Sequence, residues 1–170
     1  GDYSDIKIAF DLSNGMSSLY AREIFGDEPA YIFEELDGNF PNHEPNPLIP
    51  KNVEPLQALV KKTGADVGVI YDGDADRVMF VDNEGKFVSP DLMIAVLGHY
   101  FIDERHETGT VLQDIRSSKA VGEYLTPMGC KMATWKVGRA FAAKKLRELD
   151  GVWGDYSDIK IAFDLSNGMS

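Results

Sequence analysis

Val67-Gly68-Val69-Ile70-Tyr71-Asp72-Gly73-Asp74-Ala75-Asp76-Arg77-Val78-Met79-Phe80-Val81 is the stretch that decides how this chain is read. A β-branched and aromatic run enters a loop bearing a carboxylate at every second position, and a second apolar run leaves it, so the segment reads as strand, loop, strand. Asp72, Asp74 and Asp76 alternate, which in extended backbone sets them on one side, and Gly73 lets the chain curl so that their oxygens converge. Three anions brought so close stay ionised only if something positive sits among them. Hard oxygen donors without His or Cys select magnesium, calcium or manganese over zinc or copper. As an EF-hand loop begun at Asp72 the segment fails, because the sixth position is Arg77 instead of glycine and the twelfth is Asn83 instead of glutamate. Three oxygens from one loop leave an octahedral ion with open positions, as expected where Mg2+ also meets a phosphate. Arg77 offers a fork to such a phosphate or, alternatively, a partner to a neighbouring carboxylate. The blandest reading is an Asp/Gly-rich solvated turn.

Working outward from the loop, the chain alternates strands and helices. Ile6 to Phe10 reads as a strand running into a turn at Asn14-Gly15, with Ser17 and Ser18 capping a helix from about Leu19 to Phe25 that stops at Gly26. Tyr31-Ile32-Phe33 is a second strand. Asp37 to Pro50 holds four prolines in fourteen residues, too many for regular structure, so it must follow a fixed irregular path. His43 is the one group there that titrates near neutrality; it either locks the loop or faces a ligand. Glu54 to Lys62 has Leu56, Leu59 and Val60 at helical spacing, with Gly64 as its stop. Ser89-Pro90 opens another helix, whose expected buried face is Leu92, Met93, Val96, Leu97 and Tyr100, with His99 structural. The composition turns polar between Asp103 and Gly109. A βαβ unit follows, with strands at 110–115 and 131–135 and helices at 117–126 and 139–149. The expected class is therefore α/β, a layered mixed sheet with flanking helices over 1–105, then a second, incomplete α/β unit of the same kind over 106–153. In such sheets the loops from strand to helix carry the site, which singles out Arg116 and Lys136. Each is equally readable as an ordinary ion-pair or surface residue.

Bulk properties exclude several classes. With 44% apolar residues in 170, the chain can build a core,. No apolar run approaches the ~20 residues of a membrane helix, and the first residues lack the pattern of a signal peptide. A net charge of -11 argues against nucleic acid and anionic membranes as partners,. An anionic ligand must then be drawn in locally, by a metal and a few placed cations. The single cysteine, Cys130, forms no internal disulfide, which fits the cytoplasm,.

Asp72-Gly73-Asp74-Ala75-Asp76-Arg77 resembles the metal loop of the α-D-phosphohexomutases, the phosphomannomutase/phosphoglucomutase family. Three further blocks agree in the family's order: Phe10 to Gly15, Asp37 to Pro47, and Asp114 to Ser118 with Trp135-Lys136-Val137-Gly138. The likeness covers residues 1 to about 154. It implies a Mg2+-dependent enzyme that interconverts hexose 1-phosphate and 6-phosphate through a phosphoserine. Asp72, Asp74 and Asp76 would be the metal ligands, Lys136 and Arg77 catalytic, and His43 and Arg116 on the substrate side. It also implies that the serine domain, the last domain and a Gly-Glu-x-x-Gly-His sugar loop after residue 153 are missing, so the chain reads as an excised or engineered piece without turnover of its own. The competing class is a non-catalytic α/β scaffold that binds a divalent ion. A haloacid-dehalogenase-like phosphatase fits less well, because Asp11 is followed by Leu12-Ser13 and no second Asp.

One feature needs no family. Gly1 to Ser17 reads GDYSDIKIAFDLSNGMS, and Gly154 to Ser170 repeats it letter for letter,. Three accounts stay open: either copy fills one strand position, the copies exchange between molecules as a strand-swapped homodimer, or the second copy mends the sheet of the second unit.

Overall fold

The computed structural model describes residues 4–106 and 110–149, in two compact units, Gly1–Ser89 and Pro90–Ser170. The strand expected at 159–163 lies outside the described residues. In the first unit, β1 (Ile8–Asp11) leads through a 3-10 turn (Met16–Leu19) into α1 (Ala21–Phe25). Then follow β2 (Ala30–Ile32), α2 (Pro50–Thr63), β3 (Val67–Tyr71), β4 (Val78–Asp82) and β5 (Phe87–Val88). The sheet order is β2-β1-β3-β4-β5, with β1 parallel to both neighbours and β3, β4 and β5 antiparallel in sequence. The expected mixed sheet is what forms, and β1 is an interior strand of it.

The period-2 alternation of strand side chains splits the apolar residues between two faces. Ala9, Ile70 and Val81 pack under α2 with its Val53, Leu56 and Val60, while Phe10, Leu12 and Val69 join Ala21, with Phe25, Tyr31 and Phe80, on the other face. Phe10 stacks on Tyr31 at 5.3 Å and on Tyr71 at 6.5 Å. Gly68 lets α2 come close: a Cβ there would stand 2.7 Å from Val60 Cγ2 and 3.1 Å from Leu56 Cγ. The helix starts at Pro50, a turn earlier than the sequence pattern suggests, because proline at the first helical position lacks only an N–H that would have no partner anyway,. It stops as expected at Gly64, in the left-handed region at φ 65°,.

Ser17 and Ser18 do not cap a helix. No side chain caps either the 3-10 turn or α1, and the Ser17 hydroxyl donates back to the Leu12 carbonyl at 3.2 Å. The boundary expected near residue 105 falls instead at 89/90. The reason is α3 (Pro90–His99), whose Ile94 belongs to the core of the second unit with Val111, Val121, Leu125 and Cys130. The face expected to be buried on α3 is also corrected. Ile94 and Gly98 are buried, whereas Leu92, Val96, Leu97 and Tyr100 are exposed. A Cβ on Gly98 would meet Leu125 at 2.5 Å, so the approach of α4 is set by the smallest residue of α3. After a wide π-type turn (Tyr100–Glu104), β6 (Thr110–Asp114) pairs in parallel with β7 (Lys131–Trp135), joined by α4 (Lys119–Leu125) and a 3-10 turn (Thr126–Met128). Ser118 caps α4, its Oγ accepting from the Ala120 N–H at 3.2 Å. The last element is α5 (Arg139–Glu148).

Gly68→Ala is expected to destabilise the first unit by about 1–3 kcal/mol, since the added methyl overfills a close-packed contact. Gly38→Ala, where a Cβ meets nothing within 4 Å, should stay within about 0.5 kcal/mol. Urea unfolding of the two variants checks the contrast.

Candidate metal centre

The β3–β4 hairpin presents Asp72 directly after the last residue of β3 and closes at Arg77, where the Asp72 N–H donates to the Arg77 carbonyl at 3.2 Å. Within the turn the Ala75 N–H donates to the Asp72 carbonyl at 3.2 Å, and Ala75 itself takes the left-handed conformation at φ 61°. The curl expected at Gly73 is thus made at Ala75. Gly73 is needed for room instead, because a Cβ there would stand 3.2 Å from Pro45 and 3.4 Å from Phe40.

One carboxylate oxygen from each of Asp72, Asp74 and Asp76 lies within 4.8 Å of the others, and this is the one such cluster among the described residues. Asp72 is buried; Asp74 and Asp76 are exposed. Oxygens around a six-coordinate Mg2+ at ~2.1 Å stand ~3–4 Å apart, so rotation of the two exposed side chains suffices to close the set. The donor chemistry, three carboxylates without nitrogen or sulfur, fits a hard divalent cation. The Asp76 carboxyl is held above its usual pKa, by partial desolvation first and then by repulsion from Asp72 and Asp74, with Arg77 acting the other way.

Arg77 supplies positive charge beside this cluster. Its Nε donates to Asp72 Oδ2 at 2.6 Å, its backbone N–H donates to Asp72 Oδ1 at 3.1 Å, and Nε stands 3.8 Å from Asp76. Only Nε is engaged among the described contacts, so the two terminal amino groups of the fork have no partner within the hairpin.

Two further segments hold the hairpin in place, and both were undervalued in the sequence. The Met16 N–H donates to the Gly73 carbonyl at 2.9 Å, and a Cβ on Gly15 would lie 2.6 Å from that same oxygen. The Ser13 hydroxyl donates to the Tyr71 carbonyl at 2.6 Å. Ser13 and Asn14 sit at φ 51° and 53°, a sharp turn that Asn14-Gly15 signalled only as a generic break. From the proline-rich segment, His43 reaches Asp11, with Nε2 3.1 Å from Oδ2, while Nδ1 stands 2.8 Å from the Glu44 carbonyl oxygen. A carbonyl oxygen can only accept, so Nδ1 carries a proton, and a protonated Nε2 then suits the carboxylate. Burial alone would push the His43 pKa down, but its bonds to Asp11 and Glu44 raise it. Both side chains are almost fully enclosed. His43 thus ties the proline-rich segment to Asp11, a buried partner that no spacing rule flagged. An open cavity of about 370 Å3 lies beside the hairpin, lined by Met16, Tyr20, Ile24, Phe25, Tyr71 and Asp74.

Arg116 and Lys136 belong to the second unit. Both follow the carboxyl ends of parallel strands, as expected,. Arg116 donates to Asp114 Oδ2 through Nη2 at 2.8 Å and through its backbone N–H to Oδ1 at 2.7 Å. Burial would raise the Asp114 pKa, and Arg116 more than reverses this. Lys136 Nζ stands 3.8 Å from the centre of the Phe141 ring, a cation–π contact one turn into α5,.

Layered α/β units, the first with a carboxylate loop suited to a hard divalent cation, define the class of protein. The particular family follows from comparison. The family model for phosphoglucomutase/phosphomannomutase, alpha/beta/alpha domain II, matches residues 2–85, and that for domain III matches residues 89–161. A phosphomannomutase/phosphoglucomutase of Pseudomonas putida is 34% identical over 146 residues, 84% of this chain and 31% of the relative. A phosphomannomutase of Methanocaldococcus jannaschii is 33% identical over 150 residues, 86% of this chain and 33% of the relative. Among solved structures, a phosphoglucomutase/phosphomannomutase family protein from Burkholderia thailandensis superposes with a TM-score of 0.78 at 30% identity, covering 85% of this chain and 32% of that one. The chain belongs to the phosphoglucomutase/phosphomannomutase family and spans about a third of the length of these relatives.

The His43–Asp11 pair predicts the sign of a pH dependence. A histidine pKa raised on folding adds stability that is fully present below the unfolded value of about 6.5 and is lost as pH rises through the folded value. Urea midpoints measured from pH 6 to pH 9 should fall with rising pH, and His43→Gln should flatten that slope.

Proposed function

We propose that these residues form part of a Mg2+-dependent phosphohexomutase that interconverts hexose 1-phosphate and hexose 6-phosphate. In this reading a phosphoserine outside residues 1–170 gives its phosphoryl group to one sugar hydroxyl and takes the other phosphoryl back. The observation that carries the proposal is the convergence of Asp72, Asp74 and Asp76 within 4.8 Å on one hairpin, in a chain of this family. Phosphoryl transfer needs positioning and charge neutralisation more than covalent help from the protein. A bound Mg2+ supplies neutralisation of the charge that develops on the phosphoryl oxygens.

The chain's own residues divide the rest of the work. Asp72, fixed by two bonds from Arg77, orients the acidic set, and the two terminal amino groups of Arg77 are placed for a phosphate oxygen. Lys136 supplies a compact cation at the end of β7, for the substrate phosphate or for a proton on its way to or from a sugar hydroxyl. Arg116 shapes the neighbouring loop through Asp114. His43 acts by fixing the segment that packs on Gly73. A strongly acidic chain (net charge -11) has to collect an anionic sugar this way, with a few cations at short range. The buried, unpaired Cys130 accords with a reducing cytoplasm,; no helix among the described residues is long and apolar enough to cross a membrane.

Magnesium titration followed by thermal melting tests the metal site. At a hundredfold excess over Kd, binding to the folded state alone stabilises by about 2.7 kcal/mol. Asp74→Asn, at an exposed position, should abolish the response and leave the metal-free melting temperature unchanged or slightly higher, since it relieves repulsion in the cluster. A parent chain whose melting temperature ignores magnesium overturns the proposal in favour of a solvated acidic turn. In a coupled assay with glucose 1-phosphate the 170-residue chain alone should show no appreciable turnover, and a rate typical of whole mutases would contradict the assignment of the nucleophile to another segment.

A further inference from the structure

The sequence repeat is left unused by the metal site and by the proposed reaction, and the fold gives it a destination. The slot occupied by β1 is the interior of the five-stranded sheet. It is bounded by β2 and β3, both parallel to β1, with Phe10 aligned to Tyr31 on one side and Val69 on the other. Ala9, Phe10 and Leu12 are at most 1% exposed. After the strand, recognition continues through polar contacts. Asp11 receives His43, the Ser13 hydroxyl donates to the Tyr71 carbonyl, and Asn14 Nδ2 donates to the Glu35 carbonyl at 2.8 Å. Asn14 Oδ1 accepts from Asn42 Nδ2 at 2.8 Å, and Gly15 and Met16 close on the Gly73 carbonyl. Before the strand, the Lys7 N–H donates to Asp66 Oδ2 at 2.8 Å and the Lys7 carbonyl accepts from the Asp66 N–H at 2.8 Å.

Every one of these contacts is made by a residue between Lys7 and Met16, and each of those residues recurs 153 positions later, as Lys160, Phe163, Asp164, Ser166, Asn167, Gly168 and their neighbours. The repeat thus contains the complete set of groups the slot reads. The geometry points to residues 154–170 as a second donor for the β1 slot, able to replace residues 1–17 with the same register and the same side-chain partners. An insertion at the exposed edge of a sheet needs only a generic strand; this slot requires Gly where a Cβ would strike a carbonyl and Asn and Ser at fixed bonds, and the copy has all of them. Because the competing segments are identical, the contacts made in the slot cannot distinguish them, and the connection to the rest of the chain decides which one is bound. Residues 1–17 continue directly into the turn at Ser18, which favours them until they are displaced. The segment can come from the same molecule or, as a strand swap, from a second copy of the chain.

A pair of matched substitutions tests this without reference to the metal or to catalysis. Phe10→Asp disables the first copy, Phe163→Asp the second, and the double variant both. Hydrogen exchange by mass spectrometry of the β3 peptide, residues 67–71, reads the state of the first unit alone. If the copy fills the slot, each single variant keeps β3 protected, and exchange in the double variant is about tenfold faster or more, since opening of the unit controls it. A peptide with the sequence of residues 154–170, added to the double variant, should restore the protection. In the Phe10→Asp chain a dimeric mass assigns the donation to a second molecule and a monomeric mass to the same one; both require the copy in the slot. The inference is overturned if Phe10→Asp alone deprotects β3 as fully as the double variant does. The same holds if Phe163→Asp alone deprotects β6 and β7 while Phe10→Asp alone deprotects β3, since the copy would then belong to the second unit.

Discussion

Three like charges on one short hairpin separate unless something outside the hairpin stops them, and in this chain the restraint is packing around Gly73. Its carbonyl takes the Met16 N–H, a Cβ on it would press on Pro45 and Phe40, and Gly15 approaches so closely that a Cβ there would strike the Gly73 carbonyl. The loop after β1 and the proline-rich segment thereby clamp the turn from two sides. The backbone strain at Ala75, in the left-handed region, persists because the surroundings over-determine it. The acidic cluster is therefore preformed, with the repulsion among its members stored in the fold and available to be released by a cation. Preorganisation of this kind is what makes a charged site effective, because no reorganisation is left to do at the moment of use.

The same constraint explains what the sequence could and could not disclose. The acidic cluster was legible because its chemistry is local: three carboxylates at alternate positions need no knowledge of the rest of the chain. The strands were legible because burial on both faces of the sheet makes residues 67–71 and 78–82 near-continuous apolar runs,, and α2 because Leu56, Leu59 and Val60 recur at helical spacing,. The clamp was not legible, because it rests on contacts 30 to 60 positions apart: Asp11 with His43, Ser13 with Tyr71, Gly15 with Gly73. Ser17 and Ser18 looked like caps since hydroxyls before an apolar run usually are, yet here tertiary contact took Ser17 back to Leu12,. On α3 the periodicity misled for a different reason. The helix is apolar nearly all round, so no face stood out, and the choice fell to Gly98, the one residue small enough to admit Leu125,.

Charge is handled in opposite ways at the two kinds of position. Where a carboxylate is structural it is buried and given a dedicated cation, as with Asp11 and His43 or Asp114 and Arg116. For the enclosed His43–Asp11 pair, removing the histidine leaves an uncompensated buried charge, at a cost of roughly 3–5 kcal/mol,; Arg116 is partly exposed, and solvent softens the corresponding loss at Asp114. At the hairpin only Asp72 is treated this way. Asp74 and Asp76 are left exposed, with Arg77 Nε 3.8 Å from Asp76. Replacing one of these two aspartates by a neutral residue would relieve repulsion at the tip, offset at Asp76 by loss of its contacts with Arg77 and Asp72. That the hairpin instead concentrates uncompensated negative charge at its tip, while the remainder of the unit is engineered to hold the tip still, is the physical argument that the missing positive charge comes from outside the chain. Of the two sources of positive charge that could answer it, a basic protein surface and a hard divalent ion, the all-carboxylate donor set is chemically suited to the ion. The three oxygens stand within 4.8 Å of one another, a spacing that a single small cation can span, and the one guanidinium already beside them, that of Arg77, meets Asp72 and Asp76 through Nε.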